Sequence, residues 1–97
     1  MKALSLTLAL ILVALSGGFA AAQTTCASRV VQVTGGSALL EGGARSKARS
    51  AWMKRVTESK RLGPSYAAWL RAKNPTYSCV RTNKAYICTA SAIPCKV

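Results

Sequence analysis

The sequence has 97 residues, of which 14 are Lys or Arg, two are acidic and none is His, so the formal net charge is +12. A chain of this length forms one domain at most. Acid–base catalysis needs titratable groups of suitable pKa, and only Glu41 and Glu58 supply side-chain carboxylates. We therefore predict a protein that is not an enzyme and has no catalytic residue, cofactor or metal site. Its positive charge should attract it to polyanions.

The first 22 residues have the pattern of a secretory signal peptide. Lys2 precedes an almost unbroken apolar run, Ala3 to Leu15, and a small-residue cleavage pattern ends at Ala22. The alternative is a membrane anchor, but the run is short for a span, which needs roughly 20 residues. We expect cleavage after Ala22, with Ala20 as second choice, and a periplasmic or extracellular protein without a membrane span. Residues 23–97 then form one small domain.

Four cysteines in an exported chain favour two disulfides, because a domain this small has a thin core that cross-links must support. Zinc bound by four thiolates is the alternative. It is disfavoured because the sequence has no Cys-x-x-Cys pair and no His. The four residues are Cys26, Cys79, Cys88 and Cys95.

The sequence of the first half of the domain predicts a strand and a helix. Residues 28–34 are rich in β-branched side chains and are bounded by Gly35-Gly36, which is typical of a short strand. The glycine-rich residues 35–43 are read as a loop with one helical turn capped by Ser37. From Ala44 to Arg61, apolar residues recur at three- and four-residue steps, which predicts a helix.

The second half predicts another helix and a β-hairpin. Pro64 suits a helix start, and Asn74-Pro75 stops the helix after Lys73. Strands are expected over residues 76–81 and 85–92, with a turn at Thr82-Asn83-Lys84. The predicted fold class is therefore α+β: a strand, two helices and a hairpin, with the helices on one face of a small antiparallel sheet. Its ordered core covers about residues 44–95.

Three aromatic residues at helical spacing allow two interpretations, a core or a ligand-binding surface. Trp52 belongs to the first predicted helix, and Tyr66 and Trp69 belong to the second. Such a set usually forms the core between two adjoining helices, and we expect Trp52 to pack against Tyr66 or Trp69. A ligand-stacking surface is the alternative.

The basic residues of the first helix form a candidate anion-binding face. Their partners would be anionic envelope polymers or lipid head groups, while export argues against a specific nucleic-acid role. Insertion into a membrane is disfavoured because the apolar stripe is mostly alanine, which buries little area. The five residues are Arg45, Lys47, Arg49, Lys54 and Arg55.

Two disulfide arrangements remain open from the hairpin geometry. A two-residue turn at Asn83-Lys84 places Cys79 directly opposite Cys88, within disulfide reach, and leaves Cys26 for Cys95. That second bond requires the first strand to lie antiparallel beside the last. A longer turn shifts the register and favours Cys79–Cys95 with Cys26–Cys88.

From Trp52 onward the chain resembles a group of small exported alphaproteobacterial proteins of unknown function. The shared elements are a Trp on a first helix, a Val, G-x-x-Y-x-x-W-x-x-A, a Cys-bearing strand, a second Cys and a final A-x-P-C. The matching residues are Trp52, Val56, Gly63, Tyr66, Trp69, Ala72, Cys79, Cys88, Ala92, Pro94 and Cys95. The resemblance covers about half of residues 23–97 and implies a periplasmic or extracellular setting, with no activity attached.

The sequence favours one function and leaves a second as the alternative. The first is an exported, cationic, disulfide-stabilised binding or cell-envelope-associated module. The second is an antimicrobial or toxin-like protein that acts on anionic surfaces. They differ in what each should do to cells. A defence protein should inhibit neighbouring bacteria at low salt and lose that effect as salt screens its charge, whereas an envelope module should co-fractionate with one defined partner.

Overall fold

The structure, a computed structural model, describes residues 24–97, so the predicted signal peptide lies outside the described residues. The described residues form a small α+β unit with one α-helix, two short antiparallel sheets and two disulfides. None of the helices in this part of the chain has the length and apolarity to cross a bilayer. The elements are β1 (Thr25–Cys26), β2 (Val31–Thr34), α1 (Glu41–Glu58), single 3-10 turns at Pro64–Tyr66 and Trp69–Arg71, β3 (Lys73–Thr82), β4 (Ala85–Ile93) and β5 (Cys95–Lys96).

The hairpin of β3 and β4 has the first of the two registers that the sequence allowed. A two-residue turn at Asn83-Lys84 joins the strands, and Asn83 adopts a positive φ of 54°, which asparagine tolerates better than most residues. Thr82 therefore pairs with Ala85, and Cys79 with Cys88. β4 is central in a three-stranded sheet of order β2-β4-β3, and β1 pairs with β5 in a second sheet.

Both disulfides follow from this pairing. Cys79 and Cys88 lie opposite each other with Cα atoms 4.0 Å apart, and Cys26 and Cys95 are opposite in the β1–β5 pair. This is the first of the two arrangements predicted, and the antiparallel placement of β2 beside β4 provides the geometry it needs. Because the four cysteine sulfurs form two disulfides, none of them is a thiolate that could bind zinc.

Small side chains on both surfaces let α1 lie closely on the sheet. The buried stripe of α1 is Ala44, Ala48, Trp52 and Val56, spaced by four residues, so it occupies one narrow face of the helix. It covers β4 and β2. The sheet residues beneath it are equally small on the central strand, where Cys88, Ala90 and Ala92 are fully buried.

The helix limits differ from those predicted. α1 begins at Glu41 rather than Ala44 and includes Gly42 and Gly43 in its first turn. Each helical glycine costs about 1 kcal/mol relative to alanine, but tertiary contacts offset this cost. Ala38 exchanges two backbone hydrogen bonds with Tyr86 and so fixes the chain just before the helix. Glu41 also suits a helix N-terminus electrostatically.

The prediction of a second helix is wrong. Its place is taken by two single 3-10 turns separated by Ala68, whose backbone is extended, and Lys73 belongs to β3. A nine-residue helix is marginal alone, so tertiary packing decides its conformation. The break buries Trp69 while leaving Leu70 96% exposed.

The first strand is shorter than predicted. β2 starts at Val31, and Ser28 and Arg29 form a bend. The chain must pass there from the β1–β5 pair to the larger sheet, and the hydrogen bond from Ala27 N–H to the Pro94 carbonyl marks the end of the first pairing. Val31 and Val33 share the inner face of the strand.

Candidate anion-binding surfaces

An aromatic cluster connects the helix, the 3-10 turns and β3. The Trp52 ring is fully buried and meets the Trp69 ring edge-on, with 5.0 Å between ring centroids. Trp69 in turn lies 5.3 Å from the Tyr77 ring. The Trp52 Nε1–H donates to the Val31 carbonyl oxygen over 3.0 Å, which satisfies its polar atom. The predicted contact between Trp52 and Trp69 is confirmed, and the two rings are core rather than a ligand platform.

The five basic residues predicted as one face lie on different sides of α1. Arg45 pairs with Glu41 at 3.0 Å and lies over the Tyr77 ring, on the β3 side. Arg49 borders a depression of 370 Å³ beside Trp69. Lys47 instead donates its Nζ–H to the Ser37 carbonyl over 2.6 Å, and Arg55 borders β2. Among the described residues, the structure therefore does not gather these cations into a single face.

A different set of arginines lines two adjoining hollows. Arg55 and Arg61 line a hollow of 510 Å³ between the end of α1 and β2. An adjoining hollow of 230 Å³ is lined by Arg29 and, again, Arg61. The two hollows have Val31, Arg61 and Leu62 in common, so they form one continuous surface. We call this surface the arginine groove and define it by Arg29, Arg55 and Arg61.

The arginine groove depends on the way α1 ends. Ser59 is extended and its N–H bonds to the Val56 carbonyl, so the chain leaves the helix axis there. The turn over residues 60–62 then places Arg61 and Leu62 beside the start of β2. Gly63 follows with φ of 79°, a conformation that favours glycine.

Sequence reasoning missed Arg29 and Arg61 as members of a site. They are far apart in the chain, and Arg29 lies on a segment that was assigned to the first strand. The helical pattern brings neither near Arg55, because their proximity depends on β2 packing beside the last turns of α1. The packing of β2 beside the last turns of α1 places them near Arg55, and this helix–strand contact has no local signal in the sequence.

The charge of the surface is largely uncompensated. Within residues 24–97 the only ion pair joins Arg45 and Glu41, and no charged side chain in this range is buried. Glu58, the other carboxylate, lines the arginine groove. Comparison with protein families, curated proteins and solved structures finds no match to this chain. Function therefore rests on the chemistry of the site itself.

Proposed function

We propose that this protein is an exported, non-enzymatic binding module of the cell envelope, which holds anionic envelope polymers or lipid head groups by charge. The observation that carries this proposal is the uncompensated cationic surface. Every basic residue except Lys2 falls within the described part of the chain, where the one ion pair engages a single cation, Arg45. Such a surface raises the local concentration of polyanions and is sensitive to salt.

Export is supported by the two disulfides, which persist in oxidising compartments. It is supported also by the signal-peptide pattern of the first 22 residues, with Gln23 as the expected first residue after cleavage. N-terminal sequencing of the exported protein tests this point. A protein that keeps Met1 in the membrane fraction would contradict it.

The placement of the two carboxylates supports a non-enzymatic role. Glu41 and Glu58 stand at opposite ends of α1, and a rise of 1.5 Å per residue separates them by about 25 Å. Both are exposed, and Glu41 is already paired with Arg45. Two carboxylates that act as an acid and a base on one bond must lie within about 10 Å of each other. These two residues therefore cannot form such a pair.

A second candidate function rests on one exposed apolar patch. Leu70 is 96% exposed, Met53 is 37% exposed, and Arg49 borders the same depression. Proteins and peptides that bind anionic membranes insert apolar side chains into the interface and place cations beside the head groups. This patch favours the antimicrobial or toxin-like alternative, although it is smaller than an amphipathic helix face.

Retention on heparin and on anionic vesicles at increasing salt tests the leading proposal. We expect strong retention at low salt that disappears as ionic strength rises, with none on neutral vesicles. Capture of the oxidised protein by the producer's own envelope fraction should then identify one defined polyanion. Vesicle leakage without such capture would favour the second candidate, and retention independent of salt would contradict the electrostatic account.

A further inference from the structure

We propose that the arginine groove binds a phosphorylated saccharide unit, with the phosphate on the arginines and the sugar on the groove floor. This inference rests on the proposed function and names its site and ligand chemistry. It selects one of the several cationic regions of the surface. It also gives a role to the polar and the apolar side chains that line this region beside the arginines.

The cations of the groove are all arginines. A guanidinium is a planar fork that donates two parallel hydrogen bonds to one phosphate, whereas a lysine ammonium acts as a point charge. Arg29, Arg55 and Arg61 have no ion-pair or hydrogen-bond partner among residues 24–97. By contrast, Arg45 is engaged by Glu41. The groove donors are therefore free to bind an anion from solution.

The remaining polar lining suits hydroxyl groups. The larger hollow is bordered by Gln32, Glu58 and Ser59 as well as by its two arginines. The Glu58 carboxylate accepts hydrogen bonds, while the Gln32 amide and the Ser59 hydroxyl both donate and accept. Inorganic phosphate brings only its one or two P–OH groups to these acceptors, and the Glu58 carboxylate repels its charge. A ligand that carries hydroxyls next to its phosphate uses both kinds of group.

The groove floor is apolar and partly open to solvent. Val30 is 52% exposed, and the half-buried side chains of Val31 and Leu62 lie beside it. The C–H face of a sugar ring is the apolar surface that such a floor would cover. No aromatic side chain lines either hollow, so the groove lacks the stacking platform that single-stranded nucleic acid uses. The hollows of 510 and 230 Å³ fall within the usual range for small-ligand sites, or just below it.

The experiment is an NMR titration of the oxidised protein with glucose 1-phosphate, inorganic phosphate and glucose at constant ionic strength. We expect glucose 1-phosphate to shift the guanidinium signals of the groove and the methyl signals of Val30, Val31 and Leu62. Inorganic phosphate should shift the guanidinium signals alone and bind more weakly. Glucose should shift neither set within the same concentration range.

Two triple variants of equal charge separate the groove from the rest of the surface. R29Q/R55Q/R61Q removes the groove cations, while K54Q/K73Q/K84Q removes three exposed lysines that do not line it. The groove variant should bind glucose 1-phosphate about tenfold more weakly or worse, as expected for lost hydrogen bonds to a charged group. The lysine variant should change the affinity by less than about twofold, because distant exposed charges are screened.

The outcomes distinguish this inference from the proposed function. Equal weakening by both triple variants, or shifts spread evenly over the basic surface, would overturn the groove and leave the general polyanion binding in place. Groove shifts on anionic phospholipid vesicles but none on glucose 1-phosphate would overturn the saccharide and assign a lipid head group. An unmodified protein that binds neither heparin nor anionic vesicles would overturn the proposed function itself. Amide spectra of each variant confirm that the fold is retained.

Discussion

Gly35, just after β2, lies against the backbone of Ala48 on α1. A Cβ atom on Gly35 would stand 2.5 Å from the Ala48 backbone nitrogen and 2.6 Å from its Cα. The contact involves backbone atoms, so no side chain can rotate away to make room. The closeness of helix and sheet therefore depends on the absence of a side chain at one position of the loop and on alanine at the facing position.

We predict that Gly35→Ala destabilises the protein by about 1–3 kcal/mol, the usual cost of overpacking. Urea unfolding monitored by tryptophan fluorescence measures this change. Gly42→Ala is the matched control, because Gly42 is helical and a Cβ there meets nothing within 4 Å. The control should stabilise the protein by about 0.5–1 kcal/mol. Equal effects of the two substitutions would contradict the close approach.

Trp69 should dominate the stability of the 3-10 segment. Trp69→Ala removes a buried ring that touches both Trp52 and Tyr77, and the expected cost is about 3–5 kcal/mol. That is a large part of the stability of a small domain. Leu70→Ala is the neighbouring control and should change the free energy of unfolding by less than about 0.5 kcal/mol, since Leu70 is exposed. An unchanged melting temperature for Trp69→Ala would show that the ring is dispensable.

The two disulfides should contribute unequally. Cys26–Cys95 spans a sequence separation of 69 residues and Cys79–Cys88 one of nine. Restriction of the unfolded chain then stabilises the protein by about 4 kcal/mol for the first bond and about 3 kcal/mol for the second. Paired Cys→Ala variants, compared by urea unfolding, test this order. The opposite order would show that packing around Cys88 outweighs loop entropy.

Non-reducing peptide mapping tests the connectivity itself. It should yield fragments that join Cys26 to Cys95 and Cys79 to Cys88. A fragment joining Cys79 to Cys95 would contradict the hairpin register.

Glu58 should set the preference of the arginine groove for its ligand. Glu58→Ala removes one hydrogen-bond acceptor and one negative charge from the groove lining. We expect inorganic phosphate to bind about twofold more tightly to the variant. The ratio of the affinity for glucose 1-phosphate to the affinity for inorganic phosphate should fall about fivefold. NMR titration of both ligands measures the ratio. Glu41→Ala removes the same group at the far end of α1 and should leave the ratio unchanged; an equal response from both variants would exclude a direct role for Glu58.

The sequence by itself determined the position of the hairpin and its turn. Asn83-Lys84 is a local turn signal, and a two-residue turn fixes the pairing of residues 76–82 with β4, including Cys79 with Cys88. The local signal left the length of the turn open, and with it the choice between two disulfide arrangements. The burial of Ala44, Ala48, Trp52 and Val56 was likewise readable, because one helix face repeats at a local period. These features depend on residues close in the chain, so local patterns predict them.

The tertiary structure decided the second predicted helix and the candidate site. Residues 65–73 have helical spacing, but the segment is too short to form a helix alone, and the position of Trp69 between Trp52 and Tyr77 determines its path. The five helical cations were separated because helical periodicity distributes them around α1, on both sides of the buried stripe. Arg29, Arg55 and Arg61 line adjoining hollows because a strand early in the chain packs beside the end of the helix, and a long-range contact of that kind leaves no periodic signal in the sequence.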